Sequence, residues 1–160
     1  MSDLSSSLHR DLGYMVSLSS HSPQHHDYSV YDIGRLYWPP LTLNQYRVFM
    51  ASEYPDGFLS PRDDWAIGFV TWALMSPDSI EAYVTGNRKL TPDDFHSGAE
   101  LWVIDMIAPF GGVQRMVRDI RAMLSDRYPN TRANIIRNNR SDRRRFGHFT
   151  RKESDYADGW

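Results

Sequence analysis

Glu100-Leu101-Trp102-Val103-Ile104-Asp105-Met106-Ile107-Ala108-Pro109-Phe110-Gly111-Gly112 is the most strand-like run in this 160-residue chain, and it passes straight into a helical pattern. Residues 100–108 are apolar on both faces: Leu101, Val103 and Ile107 are expected to point one way, and Trp102, Ile104 and Met106 the other. A strand of that kind belongs in the centre of a sheet covered on two sides. Pro109 to Gly112 ends it. Val113, Met116, Val117, Ile120, Met123 and Leu124 then recur at intervals of three and four, which predicts an amphipathic helix to about Arg127. Asp105 is the exception within the strand, because a buried carboxylate is costly unless it is paired or hydrogen-bonded. Backbone amides or an arginine could satisfy it, and so could a histidine that it orients and charges. The strand alone leaves both readings open.

Working outward, Leu12 to Ser20 is expected to form a short helix after a frayed, Ser-rich start, stopped by Ser22-Pro23. Val30 to Leu36 reads as a second helix, which Trp38-Pro39-Pro40 must end. Gln45 to Met50 and Trp65 to Leu74 are rich in aromatic and β-branched residues and predict an antiparallel pair around a Pro/Asp/Gly/Ser-rich loop. Ser76-Pro77-Asp78 is an N-cap followed by proline at the first helical position, giving a helix to about Thr85. Thr91-Pro92-Asp93-Asp94 repeats the signal for a short turn. Arg132 to Arg137 and Phe146 to Phe149 are expected final strands, and Glu153 to Trp160 is an acidic tail. The chain is long enough for one core and short for two, so residues 1–160 read as a single domain, with 1–10 and 153–160 as tails.

Composition narrows the chemistry. There is no cysteine, which removes disulfides, thiolate metal sites and a cysteine nucleophile. The first twenty residues include Asp3, Arg10 and Asp11 and lack the apolar run of a secretory signal, so a cytoplasmic protein is expected. The longest apolar run, Trp65 to Met75, is too short for a bilayer span. The net charge of −2 conceals a basic segment: twelve of the eighteen Lys and Arg residues lie between Gly112 and Lys152, opposed by Asp119, Asp126 and Asp142. Such a segment suits an acidic partner, or is simply a solvated surface.

Of six histidines, His9, His21, His25, His26, His96 and His148, the setting Ser22-Pro23-Gln24-His25 distinguishes one. His21 and His25 have the spacing of helical metal ligands, but Pro23 lies between them and no further ligand pattern supports a metal. Ser22, His25 and Asp105 could be drawn as a hydrolase triad, yet no G-x-S-x-G elbow exposes the serine. The absence of a Walker loop or G-x-G-x-x-G leaves a nucleotide cofactor without support.

Taken together, Ser22-Pro23-Gln24-His25, Asn44-Gln45-Tyr46, Thr71-Trp72-Ala73, Ser97-Gly98 and Ile104-Asp105-Met106-Ile107-Ala108-Pro109-Phe110-Gly111 resemble, in order, the motifs of the RTX toxin-activating lysine acyltransferases, which include the haemolysin activators. Looser similarity runs from about Leu12 to Lys152. The resemblance places the family's required histidine at His25, its required aspartate at Asp105, its motif serine at Ser22 and an activity-affecting tyrosine at Tyr83. Relatives commonly carry arginine where this chain has His26, which bears on donor or target preference. What the resemblance implies is an α/β (α+β) fold related to the GNAT acyltransferases, a mixed, mostly antiparallel sheet flanked by helices. It further implies an acyl carrier protein thioester as phosphopantetheine-borne donor, no bound cofactor, a lysine of an RTX protoxin as acceptor, and a homodimer.

On that footing the chemistry follows. A lysine with a pKa of ~10.4 needs a base at neutral pH. His25 can take its proton with Asp105 favouring the imidazolium, and the turn Phe110-Gly111-Gly112 with the following helix can hold the oxyanion. An acyl-enzyme on Ser22 or His25 is an alternative course. Carrier proteins are acidic, which makes Arg115, Arg118, Arg121 and Arg143 to Arg145 docking candidates. Competing readings are a small-molecule N-acyltransferase using acyl-CoA, an inactive relative acting as a binding protein, and a nucleic-acid module that would leave Asp105 without a role.

Overall fold

The computed structural model describes residues 2–54, 65–138 and 144–149, with side chains for 5–54 and 65–136. The chain orders as α1 (Ser2–Ser20), α2 (Val30–Leu36), α3 (Trp38–Thr42), β1 (Tyr46–Met50), β2 (Ala66–Met75), α4 (Pro77–Thr85), β3 (Glu100–Ile107), α5 (Val113–Arg127), β4 (Ala133–Asn138) and β5 (Arg144–Phe149), with short 3-10 turns at Ala51–Glu53 and Pro92–Phe95. The five strands form one sheet in the order β1-β2-β3-β4-β5. Only β3 and β4 run parallel, because α5 carries the chain back across the sheet between them. β3 therefore lies in the middle, as its two apolar faces require.

Local signals account for most boundaries. Ser76 caps α4 by accepting the Ser79 N–H, Pro77 stands where a missing N–H costs nothing, and Gly86 closes the helix at φ 69°. Ser29 and Asp32 cap α2 reciprocally. Two expectations change. α1 begins at Ser2 rather than near Leu12, because Leu8 and Leu12 extend the stripe that Met15 and Leu18 bury against Tyr37, Phe69 and Ile107. Pro39 and Pro40 do not merely end α2; they open α3, whose first-turn N–H groups would lack partners in any case.

Helices cover both sheet faces. On one, Met116, Ile120 and Leu124 of α5 pack on Val70, Trp72, Leu101 and Val103. Each is at most 2% exposed, and such burial contributes roughly 1.5–3 kcal/mol per side chain. On the other lie α1 to α4, packed on Phe69, Ala73, Met75, Trp102 and Ile107. The expected faces of β3 are corrected here. Thr71 pairs with Asp105 while Trp72 pairs with Val103, so Ile104 is an extra residue, a β-bulge that inverts the alternation beyond it. Leu101 and Val103 face α5, whereas Ile107 faces the α1 side. The bulge leaves the Asp105 N–H to donate to Thr71 Oγ1 at 3.2 Å, which gives the buried threonine of the Thr71-Trp72-Ala73 motif its task.

Candidate active site

Two glycine requirements shape the surroundings. Gly111 and Gly112 take φ values of 95° and 77° in succession, so the exit from β3 into α5 is a turn that side chains with a Cβ resist. At Gly98 a Cβ would meet the Met75 carbonyl at 2.4 Å and Ser76 N at 2.5 Å, which explains the glycine of the Ser97-Gly98 motif by close backbone approach. The 3-10 turn before it is pinned by Asp94, which is buried, receives two Arg88 N–H groups at 2.7 and 2.8 Å and the Thr91 N–H at 2.6 Å, and accepts from Ser79 Oγ. The Arg88 guanidinium, helped by the Ser79 and Thr91 hydrogen bonds, holds the Asp94 carboxyl well below the usual carboxylate range.

After α1 the chain makes a tight turn in which the Ser22 carbonyl accepts the His25 N–H at 2.9 Å and the His26 N–H at 3.0 Å. The turn aims the His25 ring at β3. His25 Nε2 lies 3.0 Å from Asp105 Oδ1, and His25 Nδ1 lies 2.8 Å from Ser22 Oγ. An ionised carboxylate only accepts, so Nε2 carries the proton and the bare Nδ1 accepts from the Ser22 hydroxyl. Both side chains are nearly shielded, 11% exposed for His25 and 9% for Asp105. Asp105 Oδ2 is buried with no hydrogen-bond partner among the described residues. An orphaned acceptor costs about 1–3 kcal/mol, a strain that functional sites tolerate.

Tyr28 stacks edge-on against His25, with ring centroids 5.2 Å apart, and leans on Tyr37, whose hydroxyl meets Ser19 Oγ at 2.7 Å. Burial first, and then the Asp105 carboxylate, push the Tyr28 phenol above its ordinary range, so it stays a donor. Tyr83 on α4 donates to the Ile104 carbonyl at 3.3 Å, at the bulge itself.

These groups border one cleft of about 1030 Å³. β3 and β4 pair only over Leu101–Val103 and Ala133–Ile135, and beyond that the strands part. Consecutive residues of both strands, Val103 to Met106 and Ile135 and Ile136, line the cleft, so it runs through the gap from one sheet face to the other. Its α5 side carries Val113, Gln114, Val117, Arg118 and Arg121. Its other side carries His25, Tyr28, Arg35, Leu36, Ala82 and Tyr83.

The structure thus brings His25, Asp105, Ser22 and Tyr83 together. Phe110, Gly111 and Gly112 do not line the cleft, although their neighbours Ala108 and Val113 do, and the His21–Phe110 ring contact at 5.3 Å sets that turn beside the His25 loop. Arg118 and Arg121 line the cleft, whereas Arg115 is exposed outside it. Arg143, the side chains of Arg144, Arg145 and His148, the expected 55–64 loop and the acidic tail lie outside the described residues. Tyr28 and Arg35 were not singled out by sequence; Tyr28 is three residues past His25, but nothing local marks it as facing the cleft. Among the described residues no helix is long and apolar enough to cross a membrane.

A sequence profile of the RTX toxin acyltransferase family matches residues 6–147. The chain is 33% identical over 110 residues to the lysine-acyltransferase RtxC of Vibrio cholerae, covering 69% of this chain and 65% of that one. It is 29% identical over 126 residues to the protein-lysine palmitoyltransferase CyaC of Bordetella bronchiseptica, covering 79% and 61%. It is 35% identical over 100 residues to the leukotoxin-activating lysine-acyltransferase LtxC of Aggregatibacter actinomycetemcomitans, covering 62% and 53%. The chain spans less than two thirds of the length of these curated relatives. With the profile extending over most of its length, from the helix that leads into His25 through β3 and α5 to β5, the chain belongs to the RTX toxin acyltransferase family.

Proposed function

We propose that this chain transfers a fatty acyl group from an acyl carrier protein thioester to the ε-amine of an internal lysine of an RTX protoxin, in the cytoplasm. The observation that carries this reading is the line Ser22–His25–Asp105 at the edge of a cleft that threads the gap between β3 and β4. Names of relatives that denote lysine acyltransferases support it.

In this reading the amine attacks the thioester carbonyl, a C–N bond forms, and the C–S bond breaks to release a thiolate. The proton shed by the amine goes to His25 Nδ1, since Nε2–H is committed to Asp105. This requires the Ser22 hydroxyl to swing its proton off the single lone pair of Nδ1 as the amine approaches. The imidazolium then faces the Asp105 carboxylate at 3.0 Å, and the Ser22 hydroxyl turns from donor to acceptor. Ser22 acts as a positioning residue rather than a nucleophile, because His25 borders the cleft and Ser22 does not. Main-chain N–H groups at the start of α5, reached through the Phe110-Gly111-Gly112 turn, are assigned to the oxyanion. Arg118 and Arg121 are assigned to the acidic carrier at the α5 mouth, and the active species to a homodimer. The test is co-expression with an RTX protoxin followed by mass spectrometry of its lysines. Acylation by the wild-type chain and its loss in His25→Ala are expected; unmodified lysines beside a folded wild-type chain would overturn the reading.

A further inference from the structure

The cleft has two chemically different arms, one on each side of the sheet. Leu36, Tyr83, Leu90, Ile104 and Ile136 wall the arm on the α2 and α4 side and belong to or pack against the apolar cluster on that face, and Ala82, buried on α4, lines the same arm. Cations stand at its opening, but each has a carboxylate partner: Arg88 with Asp94 at 2.7 Å, Arg35 with Asp32 at 3.0 Å, and Lys89 with Asp32 at 3.8 Å. Arg35 also donates to the Leu90 carbonyl at 2.8 Å, which stitches the loop after α4 to α2. On the α5 side, by contrast, Gln114, Arg118 and Arg121 border the cleft, and Arg118 makes no ion pair among the described residues.

We propose that the α2–α4 arm seats the alkyl chain of the acyl donor, and that Ala82 sets the length of chain it accepts. The inference rests on the acyl-transfer reading. A thioester donor is polar and anionic on its sulfur side and wholly apolar on its carbonyl side. Once its carbonyl lies beside His25 and Asp105, at the gap between the strands, its two halves must leave in opposite directions. The compensated, apolar arm takes the chain and the cationic α5 arm takes the phosphopantetheine. Ala82 is buried, and its small side chain, with the helix-ending Gly86 one turn on, leaves the room along α4 that the chain fills. Ala82→Leu adds an isopropyl group to Cβ at that wall, while leucine keeps the helix.

The test is calorimetric titration of the full chain with butanoyl, octanoyl, dodecanoyl and hexadecanoyl pantetheine, with no transfer required. In the wild type, affinity should rise by roughly fourfold per methylene until the arm is full, then level off. Ala82→Leu should level off at a shorter chain while binding the butanoyl ligand within about twofold of wild type. Leu36→Ala, which widens the same arm, should move the plateau to longer chains. Each profile is a ratio within one variant, so partial loss of folded protein scales all chains alike. Wild-type affinity that is independent of chain length, or variants that weaken all chains by one factor, would overturn the proposal. Chain-dependent binding with no lysine acylation would sink the transferase reading and leave the alkyl arm standing; acylation with chain-independent binding would do the reverse.

Discussion

Ser22→Ala separates two chemistries that share the same atoms. Ser22 Oγ contributes one hydrogen bond of 2.8 Å to His25 Nδ1, while the turn around it is held by the main chain through the His25 and His26 N–H groups. Alanine therefore leaves the turn standing and removes one bond. A net hydrogen bond of this kind contributes about 0.5–1.5 kcal/mol, which corresponds to a slowing of roughly 2- to 13-fold if all of it is expressed in the transition state. Were Ser22 the site of a covalent acyl-enzyme, its loss would cost several orders of magnitude. The assay is single-turnover acylation of a protoxin lysine peptide, paired with intact-mass measurement of the chain after quenching with acid. A loss within the smaller range, with no acyl adduct on the wild-type chain, agrees with direct transfer to the amine. A thousandfold loss together with an acyl group mapped to Ser22 in the wild type would refute it.

Other consequences are more local. Asp94 has a depressed pKa in the fold, so its stabilisation is complete above the ordinary carboxylate value and is lost as pH falls through the depressed one. Thermal melts taken from about pH 5 down to about pH 2 should show Asp94→Asn with a lower plateau and a flatter acid limb than wild type; parallel limbs would contradict the assignment. Gly98→Ala drives a Cβ into the Met75–Ser76 backbone and should lower stability by about 1–3 kcal/mol in urea unfolding, against no change if the contact relaxes freely. Arg118→Glu should slow association with an acyl carrier protein at low salt, with the difference fading toward ~1 M salt where the screening length is ~3 Å; a salt-independent defect would argue against charge-guided docking.

Much of this architecture could be read from local chemistry. Pro77 to Thr85 was bounded by its own cap and by the glycine that follows, and the apolar faces of β3 announced a central strand. What escaped depended on partners distant in sequence. The bulge at Ile104 exists only in the pairing with β2, and it moves Asp105 and Ile107 to the face opposite Leu101 and Val103. The extra length of α1 reflects packing of Leu8 and Leu12 rather than the propensity of its serines. Within the site, Asp105 was conspicuous as a carboxylate in an apolar strand and His25 by its Ser-Pro-Gln-His setting. Their contact across eighty residues was an expectation from resemblance until the fold joined them at 3.0 Å. Tyr28 carries no local signature because its place is set by packing on His25 and Tyr37, and the passage of the cleft from one sheet face to the other arises from how far β3 and β4 stay paired.

The central claim is that His25 and Asp105 act as one unit in moving the lysine proton. A double-mutant cycle on the acylation rate constant tests this most directly, using His25→Ala, Asp105→Ala and the pair. Groups that work as a unit are strongly non-additive, so the double variant should be no slower than His25→Ala alone. Losses that simply multiply would mean that the 3.0 Å contact does not couple the two residues in the reaction, and the proposed mechanism would fail.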